Sequence, residues 1–235
     1  GVWFPRGGMH AVPRALADAA ADAGVAFRYG TEVTDLERRG DRVVAARTAT
    51  GERLRADAFV LTPDLPVVHR LLGRRPRRRL RWSPSAVVLH AGTTRSWSEA
   101  HHTISFGAAW EQTFTEIIRD GRLMSDPSLL VTRPTATDPT LAPAGRELHY
   151  LLAPCPNLAT GPIDWARVGP AYRDELLRTA ERRGFTGLES SIEVQELVTP
   201  ADWAAQGHAA GTPFSAAHTF PQTGPFRPRN LVRGL

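Results

Sequence analysis

The sequence predicts a mixed α/β module followed by an α+β module, and three observations carry that prediction. A Gly-Gly pair opens a run of apolar residues at helical spacing. Short alternating segments separated by polar turns come next. Beyond Pro84, further strand-like segments are joined by longer connections and one long helix. Gly7-Gly8 precedes Met9, Val12, Leu16, Ala19, Ala20 and Ala23, whose spacing of three and four residues puts them on one helical face. Pro13 falls in the first turns, where a missing N–H is tolerated, and Gly24 stops the helix. Val25 to Tyr29 alternates like a strand. Thr31 to Leu36 leads into the turn Arg39-Gly40-Asp41, Arg42 to Ala45 returns as a second strand, and Thr50-Gly51-Glu52 is the next hairpin turn. Asp57 to Leu61 reads as a short buried strand that stops at Thr62-Pro63-Asp64.

In the second module, Ala86 to His90, Thr103 to Phe106, Ser128 to Thr132 and Leu148 to Ala153 read as strands, the last with Leu148, Tyr150 and Leu152 on one face. Trp110, Phe114, Ile117 and Ile118 make a short helical face. Asp164 is an N-cap for a longer helix carrying Trp165, Val168, Tyr172, Leu176, Leu177 and Ala180 and ending before Gly184. Ser191 to Val198 is a further strand, and Thr199-Pro200 starts another helix. The run from Gly211 to Pro228 is too rich in Gly and Pro for regular structure. It is either a surface connector or a rigid loop lining a site, and its three Phe favour partial burial.

Composition narrows the function classes. With 42% hydrophobic and 23% charged residues, the chain is ordinary globular material, and no apolar run approaches the roughly 18 residues of a membrane-spanning helix. The single Cys, Cys155, excludes an internal disulfide and a four-thiolate zinc site, and a reducing cytoplasm is the simplest setting. All 29 basic residues are Arg, which excludes a lysine Schiff base or a P-loop lysine within this stretch. There is no Gly-x-Ser-x-Gly, His-Glu-x-x-His or Gly-x-Gly-x-x-Gly motif. His90, His101, His102 and Cys155 are scattered, and adjacent His101 and His102 on a strand would point to opposite faces, so they read as packing or surface residues. The net charge is +5, and seven Arg lie between Arg70 and Arg81. That run reads as a solvated connection, then as a contact to anionic lipid, and last as a nucleic-acid contact, since Trp82 is the only aromatic beside it. The apolar segments Val2-Trp3-Phe4-Pro5 and Asn230 to Leu235 read as strands wanting partners, so the chain is expected to be a piece of a longer protein.

Four parts of the chain together resemble the carotenoid desaturases of the phytoene dehydrogenase family, within the flavin amine-oxidase-like superfamily. They are Trp3 to Met9; Leu123 to Ser128; Pro154-Cys155-Pro156-Asn157-Leu158; and Gly211 to Phe214 with His218 to Phe220 and Gln222 to Pro228. Each match is short, but their order and spacing cover nearly the whole chain. The resemblance implies an enzyme about twice this length that holds FAD at an N-terminal Gly-x-Gly-x-x-Gly motif and desaturates a carotenoid precursor such as phytoene. It implies part of a Rossmann-like FAD-binding domain of the amine-oxidase type together with part of a mixed-sheet substrate domain. On this basis residues 1–82 are the middle of the FAD-binding domain, 83–200 the substrate-binding domain, and 201–235 a truncated return segment.

The same resemblance sets Gly7, Gly8 and Met9 near the flavin ring, the main chain at Val33 against the adenine, and Thr62, Pro63 and Asp64 at a strand end by the cofactor. Pro63 departs there from the family's Ser-Asn-Ala-Asp-like run. Phe214, His218, Phe220 and Phe226 are the candidate substrate-lining residues. The implied partner is a hydrophobic polyene and not nucleic acid. At roughly 0.8 kcal/mol per methylene, a hydrocarbon of some forty carbons resists transfer into water by tens of kcal/mol. The enzyme is therefore expected to be cytoplasmic and attached peripherally to a membrane surface. Isomerisation, ketolation or saturation of a polyene on the same scaffold, and a non-catalytic lipid-surface fragment, are the competing readings.

Overall fold

In a computed structural model, residues 3–74 and 79–226 are described. The middle of the arginine run and the strand expected after Asn230 lie outside them. Helix α1 (Ala11–Asp22) forms where the apolar spacing put it, with Pro13 in the first turn and Gly24 just past the end at φ +88°. None of its residues is buried, and Leu16 is 67% exposed. The two strands expected on either side of the meander are not there. Val25 to Tyr29 is irregular and exposed, with the Phe27 and Tyr29 rings stacked 5.7 Å apart, and Asp57 to Leu61 is irregular with Val60 87% exposed. The cause is the same for both. A strand is held by its neighbour's N–H and C=O groups, and no described segment runs beside either one.

Between them, β1 (Val33–Arg39), β2 (Arg42–Thr48) and β3 (Arg53–Leu54) form an antiparallel meander through the two expected glycine turns. Helix α2 (Leu65–Leu71) was not legible as a helix; Asp64 caps it and Pro66 sits in its first turn. Leu71 and Leu72 of this segment close a small core with Leu36, Val43 and Ala46, against which Val33, Phe59 and Leu61 pack.

The second module is a five-stranded antiparallel sheet in the order β5-β6-β7-β4-β8. Its strands are β4 (Ser85–Thr93), β5 (His102–Ser105), β6 (Leu129–Thr132), β7 (Glu147–Cys155) and β8 (Ile192–Val198). One face carries Val87, Leu89, Val131, Leu151, Ala153 and Cys155. It packs against Trp165, Tyr172, Leu176, Leu177 and Ala180 of α4 (Trp165–Arg182), which Asp164 caps as expected. Leu148, Tyr150 and Leu152 of β7 do share a face, but it is the less buried one. The deeply buried positions are His149, Leu151, Ala153 and Cys155, a mixture that alternation in hydropathy alone does not single out.

Helix α3 (Trp110–Thr115) runs on into a π-helical turn, Glu116–Asp120. The expected apolar face is split there: Ile117 is buried, whereas Trp110, Phe114 and Ile118 stay exposed. The short helix α5 (Leu188–Ser191) precedes β8, and α6 (Pro200–Ala205) follows it with a full capping box between Thr199 and Asp202.

Three passes of the chain join the modules. In the first, Phe4 lies edge-on to His101 at 4.5 Å, and the Gly7 amide donates to Asp138 Oδ2 at 2.7 Å. The second and third, residues 81–85 and 211–217, run side by side. Trp82 and Ala216 form an antiparallel bridge, the Ser83 amide donates to the Ser215 carbonyl at 3.1 Å, and the Ala217 amide donates to the Arg81 carbonyl at 2.8 Å.

Candidate functional site

The motif at the end of β7 clamps this double crossing. Asn157, 3% exposed, donates from Nδ2 to the carbonyls of Trp82 (3.3 Å) and Ser83 (2.8 Å) and accepts at Oδ1 from the amides of Ala159 and Thr160, both at 3.0 Å. The Leu158 amide donates to the Ala210 carbonyl at 2.9 Å, Ser85 Oγ to the Gly211 carbonyl at 2.5 Å, and Thr212 Oγ1 to the Pro84 carbonyl at 2.8 Å. Gly211 has φ +62°, and a Cβ there would lie 2.2 Å from the Pro200 carbonyl oxygen, so only glycine fits.

The Leu123 to Ser128 motif does similar work beside α3. Asp126 accepts from Arg183 Nη2 at 2.8 Å and from the Ala109 amide at 3.1 Å, and Ser128 Oγ accepts from the Gly107 amide at 3.2 Å. The Ser125 amide donates at 2.8 Å to the buried Glu116, and this bond is the main reason that its carboxyl is held below the ordinary range.

The candidate cofactor residues fall in three places, and no hydrogen bond or ring contact joins the three among the described residues. Gly7 and Gly8 both have φ +83°, immediately before α1. Their amides are taken, by Asp138 and by the Pro5 carbonyl at 3.1 Å, so what they offer a ligand is a surface without side chains, beside the exposed Met9. Val33 opens β1 opposite Thr48 with its side chain against the small core, which leaves its main chain as the part a ligand would meet.

Asp64 is brought to the return segment. Its Oδ1 accepts from the Leu65 amide at 2.9 Å and from Ser215 Oγ at 3.4 Å, while Oδ2 accepts from the Ala209 amide at 2.9 Å. Thr62 and Pro63 are exposed ahead of it. Ala210 (φ +54°) and Ser215 (φ +60°) are the non-glycine residues held in the left-handed region among the described residues, and Asp64 bonds to Ser215 itself and to the residue before Ala210. Sequence gives no sign of this strain, because neither Ala nor Ser marks such a conformation.

The partial burial expected for the three Phe is met in part by Phe214 and Phe226, 49% and 47% exposed, and not by Phe220. Phe214, Phe220 and Phe226 are exposed, Phe220 to 79%, and so is His218. The segment docks through its backbone on residues 81–83, which turns these side chains outward, and the Phe220 and Phe226 rings lie 5.2 Å apart. The histidine pair also departs from expectation. His101 precedes β5, so its ring is not forced to the opposite face and lies 4.5 Å from that of His102. Each ring meets a threonine, His101 Nδ1 with Thr137 Oγ1 at 2.6 Å and His102 Nδ1 with Thr132 Oγ1 at 2.9 Å.

Comparison with known proteins places this architecture. Residues 1–234 match the family of flavin containing amine oxidoreductases. The phytoene dehydrogenase of Streptomyces griseus is 69% identical over 239 residues, an alignment covering 100% of this chain and 47% of that protein. The zeta-carotene-forming phytoene desaturase of Myxococcus xanthus is 37% identical, over 98% of this chain and 46% of its own length. A solved oxidoreductase from Methanosarcina mazei shares the fold with a TM-score of 0.58 at 14% identity, covering 82% of this chain and 42% of that one. The chain belongs to the flavin-containing amine oxidoreductase family and stands with its phytoene desaturases. It spans about half the length of the curated relatives it matches.

FAD is the cofactor that this membership implies, and the residues present fit it as one wall of a site. The side-chain-free surface at Gly7-Gly8 and the open apolar faces of α1 and of Val25 to Tyr29 suit a large planar ligand and further protein around it. A cavity of about 560 Å³ lies elsewhere, at the far end of the β1–β2 hairpin among Arg39, Arg42, Arg55 and Asp57.

Proposed function

We propose that this chain works as part of a longer FAD-dependent enzyme that desaturates a carotenoid precursor such as phytoene. The observation that carries the reading is the 69% identity, over the whole chain, to a phytoene dehydrogenase. The residues where the motifs meet serve this reading by locking the modules together: Asn157, Gly211 and Asp64 fix the crossing to which both a cofactor side and a substrate side attach. Residues 1–82 then belong to the FAD-binding domain, 83–200 to the substrate domain, and 201–235 to the return segment between them.

FAD, when bound, supplies the acceptor for the hydride lost in desaturation. The chain's own part is to bind, orient and exclude water. Gly7, Gly8 and Met9 form the surface beside the flavin ring, the main chain at Val33 meets the adenine, and Thr62, Pro63 and Asp64 border the cofactor while Asp64 holds the return segment. Phe214, His218, Phe220 and Phe226 edge the substrate's path. A hydrocarbon carries no ionisable group, so its recognition needs apolar wall and no nucleophile.

No helix among the described residues is long and apolar enough to cross a membrane, and the polyene reaches the enzyme by peripheral contact. The arginine run from Arg70 supplies up to about 1 kcal/mol per residue near anionic headgroups. The test is incubation of the full-length, FAD-loaded protein with phytoene in liposomes. A product with a longer conjugated system and reduced flavin is expected. Recovery of phytoene unchanged, only isomerised or only oxygenated would overturn the reading.

A further inference from the structure

Residues 4–8 reach across from the first module and rest on one turn of the second. Phe4 lies edge-on to His101, whose Nδ1 meets Thr137 Oγ1, and the Gly7 amide donates to Asp138 Oδ2 at 2.7 Å. A Cβ at Gly8 would sit 3.4 Å from Leu141 Cδ2. These contacts converge on His101 and residues 137–141, and that seat is stiff. Two 3-10 turns, Pro134–Ala136 and Pro139–Leu141, each begin at a proline, which fixes φ, and Asp138 lies between them, 7% exposed. Its Oδ1 accepts from the Thr140 amide at 3.1 Å and from Thr140 Oγ1 at 2.5 Å, which leaves Oδ2 for Gly7. The Thr140 hydroxyl and the Gly7 amide also hold the carboxyl below its ordinary range, so at neutral pH it can only accept.

On the other side of this bond, the Gly8 amide donates to the Pro5 carbonyl at 3.1 Å and closes a turn with Gly7 as its third residue, at φ +83°. A type II turn asks for positive φ at that position and makes no use of its amide, which here is spent on the carboxylate. The Gly8 carbonyl then accepts from the Ala11 amide at 3.1 Å, where α1 begins. Turn and helix are one unit, and Asp138 is its charge-assisted anchor on the second module. We infer that Asp138 is a positioning residue for the cofactor: through the Gly7 amide it fixes where the Gly7-Gly8 surface stands against the flavin ring. The inference rests on the FAD-dependent reading above and deepens it, since a residue of the second module then sets how the ring is held. Without the bond, two successive glycines regain their conformational freedom, and the face offered to a planar ring is no longer a single one.

The experiment uses the full-length protein and follows FAD itself, by its Kd, visible absorption bands and midpoint potential, in wild type, Asp138→Ala, Asp138→Asn and Leu176→Ala. Asp138→Ala should raise the Kd for FAD roughly tenfold or more and shift the bands and the potential. Asp138→Asn still offers an acceptor to Gly7 while Thr140 Oγ1 turns to accept from its amide, so its Kd should stay within about threefold of wild type with the bands restored. Leu176→Ala, in the core beneath α4, should lower Tm and leave bands and potential in place. Unchanged Kd and bands in Asp138→Ala would overturn the assignment. So would equal shifts in Asp138→Asn, because the charge and not the bond would then act, or equal shifts in Leu176→Ala, because general destabilisation would then suffice. Should Asp138→Ala not fold, Thr140→Val, which removes the hydroxyl that orients the carboxylate, takes its place: a rise in Kd of about threefold is expected, and no rise overturns the assignment. If wild type binds no FAD, the FAD-dependent reading itself fails and takes this inference with it, an outcome visible without any variant.

Discussion

Asn157 shows how much one side chain can decide. It satisfies two carbonyls on one pass and two amides of its own turn, and its own side chain is buried. Asn157→Ala removes these bonds and leaves the half-buried carbonyls of Trp82 and Ser83 without this donor, at about 1–3 kcal/mol in each case, so denaturant titration of the full-length protein should show about 3 kcal/mol lost. His149 is a second case. Burial, reinforced by Arg133 and opposed by Glu147, lowers its pKa from 6.5 to about 4, and Trp97 and Phe185 lie edge-on around it. The folded state therefore keeps the ring neutral while the unfolded chain takes up a proton near pH 6.5. As pH falls from 6.5 to 4, unfolding gains about 1.4 kcal/mol per unit from this group, about 3 kcal/mol in all. Stability measured against pH should slope down across that window in wild type and lose most of the slope in His149→Gln. Neither role is legible in sequence: a lone Asn after Pro-Cys-Pro and a His in a strand look like any others until their hydrogen-bond partners Ser83 and Thr93, 74 and 56 positions away, are known.

At the scale of elements, what could be read was what the local chain decides. The Asp164 and Thr199 caps, the glycine turns at Gly40 and Gly51 and the length of α4 follow from neighbouring residues, and all are found. The strands at Val25 to Tyr29 and Asp57 to Leu61 were misread because a strand needs a second segment, which composition does not reveal. Helix α2 was missed because its short apolar stretch leads straight into the arginine run. Asp64 does more there than cap a helix, since it also holds Ala209 and Ser215. Asp64→Ala should cost about 1 kcal/mol for the lost cap. It should also make the 209–217 segment cut faster in limited proteolysis, because two left-handed residues lose the anchor that restrains them. An unchanged cleavage rate would show that the backbone ladder to residues 81–83 suffices alone.

For the whole molecule, the candidate site was only partly legible. The motif runs located the crossing, yet the residues singled out for substrate, Phe214 to Phe226, lie on an outward-facing segment. The open faces of α1 and of Val25 to Tyr29 are expected to leave the isolated chain without tightly held FAD. A visible spectrum of the purified 235 residues should lack the flavin bands expected of the FAD-loaded full-length protein. For the membrane, flotation of the full-length protein with anionic liposomes should weaken steeply with salt, and neutralising Arg70, Arg74, Arg79 and Arg81 together should flatten that dependence.

The side-by-side course of residues 81–85 and 211–217 has a mechanical meaning. Two connectors zipped edge to edge resist shear far better than two separate tethers, and the Phe4 and Gly7 contacts add a third point that is not in line with them. Three such attachments remove the freedom to hinge. The two modules are therefore expected to move together and not to swing apart about a single connection.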